Sequence, residues 1–121
     1  MPGRAIVAKE LAGLLSALAH PHRLRIIEEL GCGEMDVNSL QQELGISHSG
    51  VSQNLAILRA HRLVVERREG RHVIYRLAHP GLAGWLLGGL DFLEREISAG
   101  AHLRDVLETV RSHWQKGAGE G

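Results

Sequence analysis

Apolar positions recur along this chain at helical spacing, broken at a few defined points. Ile6, Val7, Leu11, Leu14, Leu15 and Leu18 predict a first helix from about residue 4 to 19. His20-Pro21 interrupts it, and Pro21 suits the first turn of a second helix, where its missing N–H has no intrahelical partner to lose. Leu24, Ile26, Ile27 and Leu30 mark the apolar side of that helix, which ends at Gly31-Cys32-Gly33. Val37, Leu40, Leu44 and Ile46 predict a short helix closed by Gly45, a residue that enters the left-handed region without steric cost. Ser47 is placed to cap the next helix, which buries Val51, Leu55 and Leu58 at spacings of four and three.

The pattern then changes. Leu63 to Arg68 and Arg71 to Leu77 are rich in β-branched residues and flank Glu69-Gly70, which predicts a β-hairpin. Helical spacing returns after Pro80, first through Leu82, Leu86, Leu90, Leu93 and Ile97. After Gly100 it continues through Leu103, Val106, Leu107, Val110 and Trp114. These two stripes, with that of the first helix, offer more apolar face than one small core can cover, so a helical homodimer interface is expected. Residues 1–116 form one expected domain, and the glycine-rich stretch 117–121 is expected to be disordered.

Composition narrows the class. A chain of 121 residues fits one domain, and with 44% hydrophobic but only 3% aromatic residues its core must be aliphatic. No apolar run is long enough to span a bilayer, and the N-terminus lacks the layout of a signal peptide. Cys32 is the only cysteine, which excludes an internal disulfide. A cytoplasmic protein without membrane association is expected.

Net charge is zero, but the charges are unevenly placed. Residues 1–58 and 77–121 each carry four basic and six acidic groups. Residues 59–76 carry six arginines (Arg59, Arg62, Arg67, Arg68, Arg71, Arg76) against Glu66 and Glu69, a local charge of +4, with two histidines besides. A basic stripe on a neutral body fits phosphate binding, and charge alone fits a solvated hairpin as well. The order of elements separates the two. Two helices joined by a short turn containing Gly45, followed directly by an arginine-tipped hairpin, describe a winged helix-turn-helix. The expected fold class is α+β: mainly α, with a small β-hairpin wing and dimerisation through the N- and C-terminal helices.

Such a helix enters the major groove of double-stranded operator DNA by its N-terminal end. That places His48, Ser49, Ser52 and Gln53 at base edges, with Gln53 suited to a bidentate pair with adenine. Ser47 and the helix N-terminus are expected to hold a phosphate. Arg67, Arg68, Arg71 and His72 are expected to meet the backbone or an adjacent minor groove. The recognition helix has no Lys or Arg before Arg59, so affinity should depend on the wing and on dimeric pairing across a palindrome.

Three stretches carry a family resemblance. Leu18-Ala19-His20-Pro21-His22-Arg23-Leu24-Arg25-Ile26-Ile27, Gly45 to Leu55, and Arg67 to Leu77 resemble the opening, recognition helix and wing of the ArsR/SmtB family of bacterial repressors. The match covers roughly residues 10–80. It implies a homodimer built on the first and penultimate helices, and an inorganic effector that changes operator affinity. The chain departs from the family's best-known sites. Asp36 and Asn38 stand where arsenic and cadmium sensors carry cysteines. The positions of the inter-helix zinc site read His79, Gly81, Phe92 and Arg95.

Eight histidines nevertheless point to a nitrogen- and oxygen-rich site suited to Ni(II) or Zn(II). The candidate ligands are His20, His22, His79, His102 and His113, with Asp91, Asp105 or Glu108 as helpers. The alternative is control by a regulatory partner protein or by a thiol event at Cys32. A helical interaction module without a DNA role is the reading from another class. For an enzyme, no nucleophile, base and orienter arrangement is recognisable.

Overall fold

The computed structural model describes residues 2–96 and 101–120, with side chains left undescribed at 101–103 and 116–120. The chain runs α1 (Pro2–Leu18), α2 (Pro21–Cys32), β1 (Met35–Asp36), α3 (Val37–Leu44), α4 (His48–Ala60), β2 (Val64–Glu69), β3 (His72–Leu77), α5 (Leu82–Glu96) and α6 (Ala101–Glu120). This is the expected mainly α architecture with a small wing. One core is centred on Ile26, Ile27 and Leu30 of α2, Leu40 and Leu44 of α3, and Val51, Leu55 and Leu58 of α4, joined by Ala17 and Leu18 of α1 and Leu82 and Ala83 of α5. The sheet closes it with Leu63, Val64 and Leu77.

Local chemistry accounts for the helix boundaries. His20 caps α2 by accepting the His22 amide on Nδ1 at 3.1 Å. Asp36 caps α3 through the Ser39 amide at 2.8 Å, and Ser47 caps α4 through the Gly50 amide at 3.0 Å. Gly45 ends α3 in the left-handed conformation, with φ 68°.

At the end of α4 the left-handed residue is Arg62, with φ 60°. Its amide bonds to Arg59 O at 2.9 Å, and the Leu63 amide reaches back to Leu58 O at 2.9 Å. With Leu58 and Leu63 both buried, this is a Schellman ending with arginine where glycine is usual. Arg62→Gly is therefore expected to stabilise the fold by about 0.5–1 kcal/mol, the left-handed strain relieved less the backbone entropy glycine adds. A higher urea midpoint with unchanged slope would show it; a lower one would mean that Arg62 makes contacts worth more than the strain.

The sheet order is β1-β3-β2, all antiparallel. Glu69 pairs with His72, so the wing turn is Gly70-Arg71, one residue later than expected from the sequence. Gly70 takes φ 64°, which a side chain would resist. The two-residue β1 pairs Met35 and Asp36 with Tyr75 and Ile74, and ties the start of α3 to the wing.

Helix α6 folds back on α2 and α5. The Trp114 indole donates to the Glu28 carboxylate, and Arg111 bridges Asp91 at 2.7 Å and Glu94 at 2.6 Å. Its backbone is helical to Glu120, into the stretch expected to be disordered. The outer part of α1 packs little within the chain. Only Ala17 and Leu18 are buried, while Ile6, Val7, Leu11 and Leu15 stay exposed. Between α1, α2 and α5 lies an apolar cleft of about 550 Å³, lined by Leu15, Leu18, Leu24, Trp85, Leu86 and Phe92. No helix among the described residues is long and apolar enough to cross a membrane.

Candidate nucleic-acid interface

The residues expected to face DNA fall into two groups. Ser47, His48, Ser49 and Gln53 are exposed around the first turns of α4, with Ser52 half-buried beside them. The Ser47 hydroxyl oxygen already accepts the Gly50 amide and lies 3.3 Å from the Ser49 hydroxyl. Either hydroxyl can be the donor of that pair. A cleft of about 310 Å³ separates this end of α4 from the wing, lined among others by Asp36, His48, Ser52, Arg71, His72 and Tyr75.

On the wing the four expected contacts are not equivalent. Arg67 is engaged by two carboxylates, Glu34 and, at 3.0 Å, Glu69. His72 Nδ1 lies 3.6 Å from Asp36 Oδ2. Both residues thus hold the wing to the segment before α3. Arg68 and Arg71 are exposed and have no ion-pair partner among the described residues. Arg59 is drawn off to Glu66 at 2.8 Å. Exposed pairs of this kind are weak, about 0–1 kcal/mol, and a phosphate can displace them. Of the four expected wing contacts, the charges ready for phosphate without rearrangement are therefore those of Arg68 and Arg71. Sequence reasoning missed this sorting, because Glu34 lies thirty-three residues from Arg67 and nothing local signals their meeting.

Asp36 has two duties, α3 cap and wing anchor. The Ser39 amide, then the Ser39 hydroxyl and His72, hold its carboxyl below the ordinary aspartate range. A depressed folded pKa means stability that is present above the ordinary value of about 3.9 and lost as pH falls through the folded value. Asp36→Ala is expected to cost about 1 kcal/mol at pH 7, the worth of a cap. Urea midpoints of variant and parent should converge as the pH is taken below the ordinary aspartate range. A gap that persists there would assign the loss to packing instead.

The histidines with described side chains do not converge within one protomer. His20 and His22 have ring centroids 5.1 Å apart, and His20 Nδ1 is occupied by the cap. His79 is exposed between β3 and α5, and His113 Nε2 lies 3.3 Å from Cys32 Sγ at the C-terminal end of α2. The side chain of His102 lies outside the described residues. Among the described residues no group of three or more His, Cys, Asp or Glu is disposed to hold a metal ion.

A helix-turn-helix domain model matches residues 18–67. The "Transcriptional repressor SmtB homolog" of Synechocystis sp. is 46% identical over 71 residues, 59% of this chain and 54% of that protein. The "Uncharacterized HTH-type transcriptional regulator Rv0081" of Mycobacterium tuberculosis is 36% identical over 102 residues, 84% of this chain and 87% of that protein. Its crystal structure superposes with a TM-score of 0.66 at 33% identity, covering 81% of this chain and 95% of that one. The chain belongs to the ArsR/SmtB family. Another ArsR/SmtB-like neighbour, Mb0332 from Mycobacterium bovis, is described as a homodimeric winged helix-turn-helix DNA-binding domain. It matches with a TM-score of 0.66 at 29% identity, over 80% of this chain and 94% of that one. As the Synechocystis coverage illustrates, the chain spans only a little over half the length of the first ArsR/SmtB relatives it matches.

Proposed function

We propose that this ArsR/SmtB member is a DNA-binding transcriptional regulator, a repressor, that grips a double-stranded operator as a homodimer and has no catalytic role. The observation that carries this reading is the exposed, Ser47-capped end of α4 set beside a wing tip with two uncommitted arginines, Arg68 and Arg71. Short polar side chains on α4 approach base edges while the wing neutralises phosphates, and two protomers engage half-sites about one helical turn apart. The exposed apolar faces of α1 and α5, together with the homodimeric Mb0332 neighbour, support the dimer. The test is fluorescence anisotropy with a labelled duplex from the region upstream of the chain's own coding sequence, and a scrambled duplex of equal length. Binding to the upstream duplex at least a hundredfold tighter at about 0.15 M salt supports the reading. Equal, weak affinity for both sinks it.

The finer reading adds an effector, Ni(II) or Zn(II), bound by some of His20, His22, His79, His102 and His113. The described donors of one protomer do not by themselves form a closed site, so a metal would draw further ligands from the other protomer or from side chains such as that of His102. Calorimetric titration of the purified dimer with each ion decides the matter. A stoichiometric site supports metal control, and its absence shifts control to a partner protein or to chemistry at Cys32.

A further inference from the structure

The recognition helix is tied to α1 by a relay of three side-chain hydrogen bonds centred on Arg23 of α2. Arg23 Nε donates to Ala17 O, in the last turn of α1, at 2.6 Å. Arg23 Nη1 donates to Asn54 Oδ1 on α4 at 3.3 Å, and Asn54 Nδ2 donates to Gly50 O, in the first turn of α4, at 2.8 Å. Each link has a physical reason. Last-turn carbonyls such as that of Ala17 lack an intrahelical partner, and a cation there meets the negative end of the helix dipole. The planar guanidinium spans two acceptors in a fixed fork, which an ammonium cannot do. Asparagine is a poor choice for a helix interior, and Asn54 is half-buried rather than turned to solvent with Gln53.

The relay joins the two working surfaces of the molecule. At one end is α1, which buries only its last residues in the chain and exposes Ile6, Val7, Leu11 and Leu15. At the other is the first turn of α4, which carries Ser47, His48 and Ser49. We propose that Arg23 is a positioning residue for DNA reading: through Asn54 it sets the orientation of the first turn of α4 and makes it follow the placement of α1. Arg23 itself does not touch DNA. A shift of α1 at its apolar face is thereby delivered to the residues that meet the bases. This inference rests on the operator-binding reading above.

The test uses the full chain and a labelled duplex that the wild-type protein selects from a randomised pool. Arg23→Ala and Asn54→Ala are each expected to weaken binding to that duplex about tenfold. The double variant should be no weaker than either single, because both remove the same link. Arg23→Lys should not rescue. Affinity for an unselected duplex, and the slope of log affinity against log salt, should stay at wild-type values, since no phosphate contact is lost. Wild-type affinity in Arg23→Ala overturns the proposal, as do additive losses in the double variant. A shallower salt slope also overturns it, by making Arg23 a direct phosphate contact. Should Arg23→Ala not fold, Asn54→Ala still decides, since alanine favours the helix; wild-type affinity there is equally fatal. If the wild-type protein selects no duplex, operator binding fails and this inference with it. If it selects one that the variants also hold, only this inference fails.

Discussion

Replacing Arg68 and Arg71 together by alanine is expected to weaken duplex binding by one to two orders of magnitude at about 0.1 M salt. The two side chains stand at the wing tip, exposed and without ion-pair partners among the described residues, so their charges cost nothing to redirect toward phosphates. A dimer carries four such groups. Removing them should make the slope of log affinity against log salt shallower by roughly 3–4, at about 0.9 per phosphate contact. Arg67→Ala is the internal contrast. Its guanidinium is already shared between Glu34 and Glu69, so its deletion should change the salt slope far less. Urea midpoints of all the variants should stay close to that of the parent, since exposed arginines contribute little to the fold. A double variant that binds like the parent would remove the wing from the interface. Arg67→Ala matching the double variant would show that phosphate displaces the carboxylates.

That contrast marks where the sequence stops being informative. Helix boundaries were legible because single residues decide them: Pro21 starts α2, Ser47 caps α4, and Gly45 supplies a left-handed turn. The wing was legible from its β-branched residues and Gly70. Interactions between distant residues were not. The motif from Leu18 to Ile27 contains Arg23, yet its partner Asn54 lies thirty-one residues on, and no local pattern pairs a helix-start arginine with a mid-helix asparagine. Arg62 was hidden for a different reason. The Schellman ending depends on backbone conformation, and an arginine there carries no sign that its φ is positive. β1 is two residues long, too short for any periodicity, and owes its strand form to β3 beside it. The described histidines mark a further limit: their number is plain in the composition, but only the structure shows that His20 caps α2 while His113 lies beside Cys32.

The largest structural effect is expected at the apolar face of α1 and α5. Phe92 is 72% exposed, Val7 65%, Ile6 64% and Trp85 52%, an arrangement that a monomer in water has no reason to keep. Burying a side chain of this size contributes roughly 1.5–3 kcal/mol, and a two-fold axis counts each one twice. Leu11→Glu combined with Phe92→Glu should therefore yield a folded monomer at micromolar concentration, read by analytical ultracentrifugation. The core is centred on α2, α3, α4 and the sheet, and α1 and α5 give it only Ala17, Leu18, Leu82 and Ala83, none of them substituted here, so the helical circular dichroism should be retained outside α1. Affinity for the upstream duplex should fall with dimerisation, because one protomer offers only one half-site and half the phosphate contacts. A variant that remains dimeric would place the interface on another surface, with α6 the next to test. A variant that is monomeric yet binds as the parent does would show that a single wing and recognition helix suffice, and would remove the reason to expect a palindromic operator.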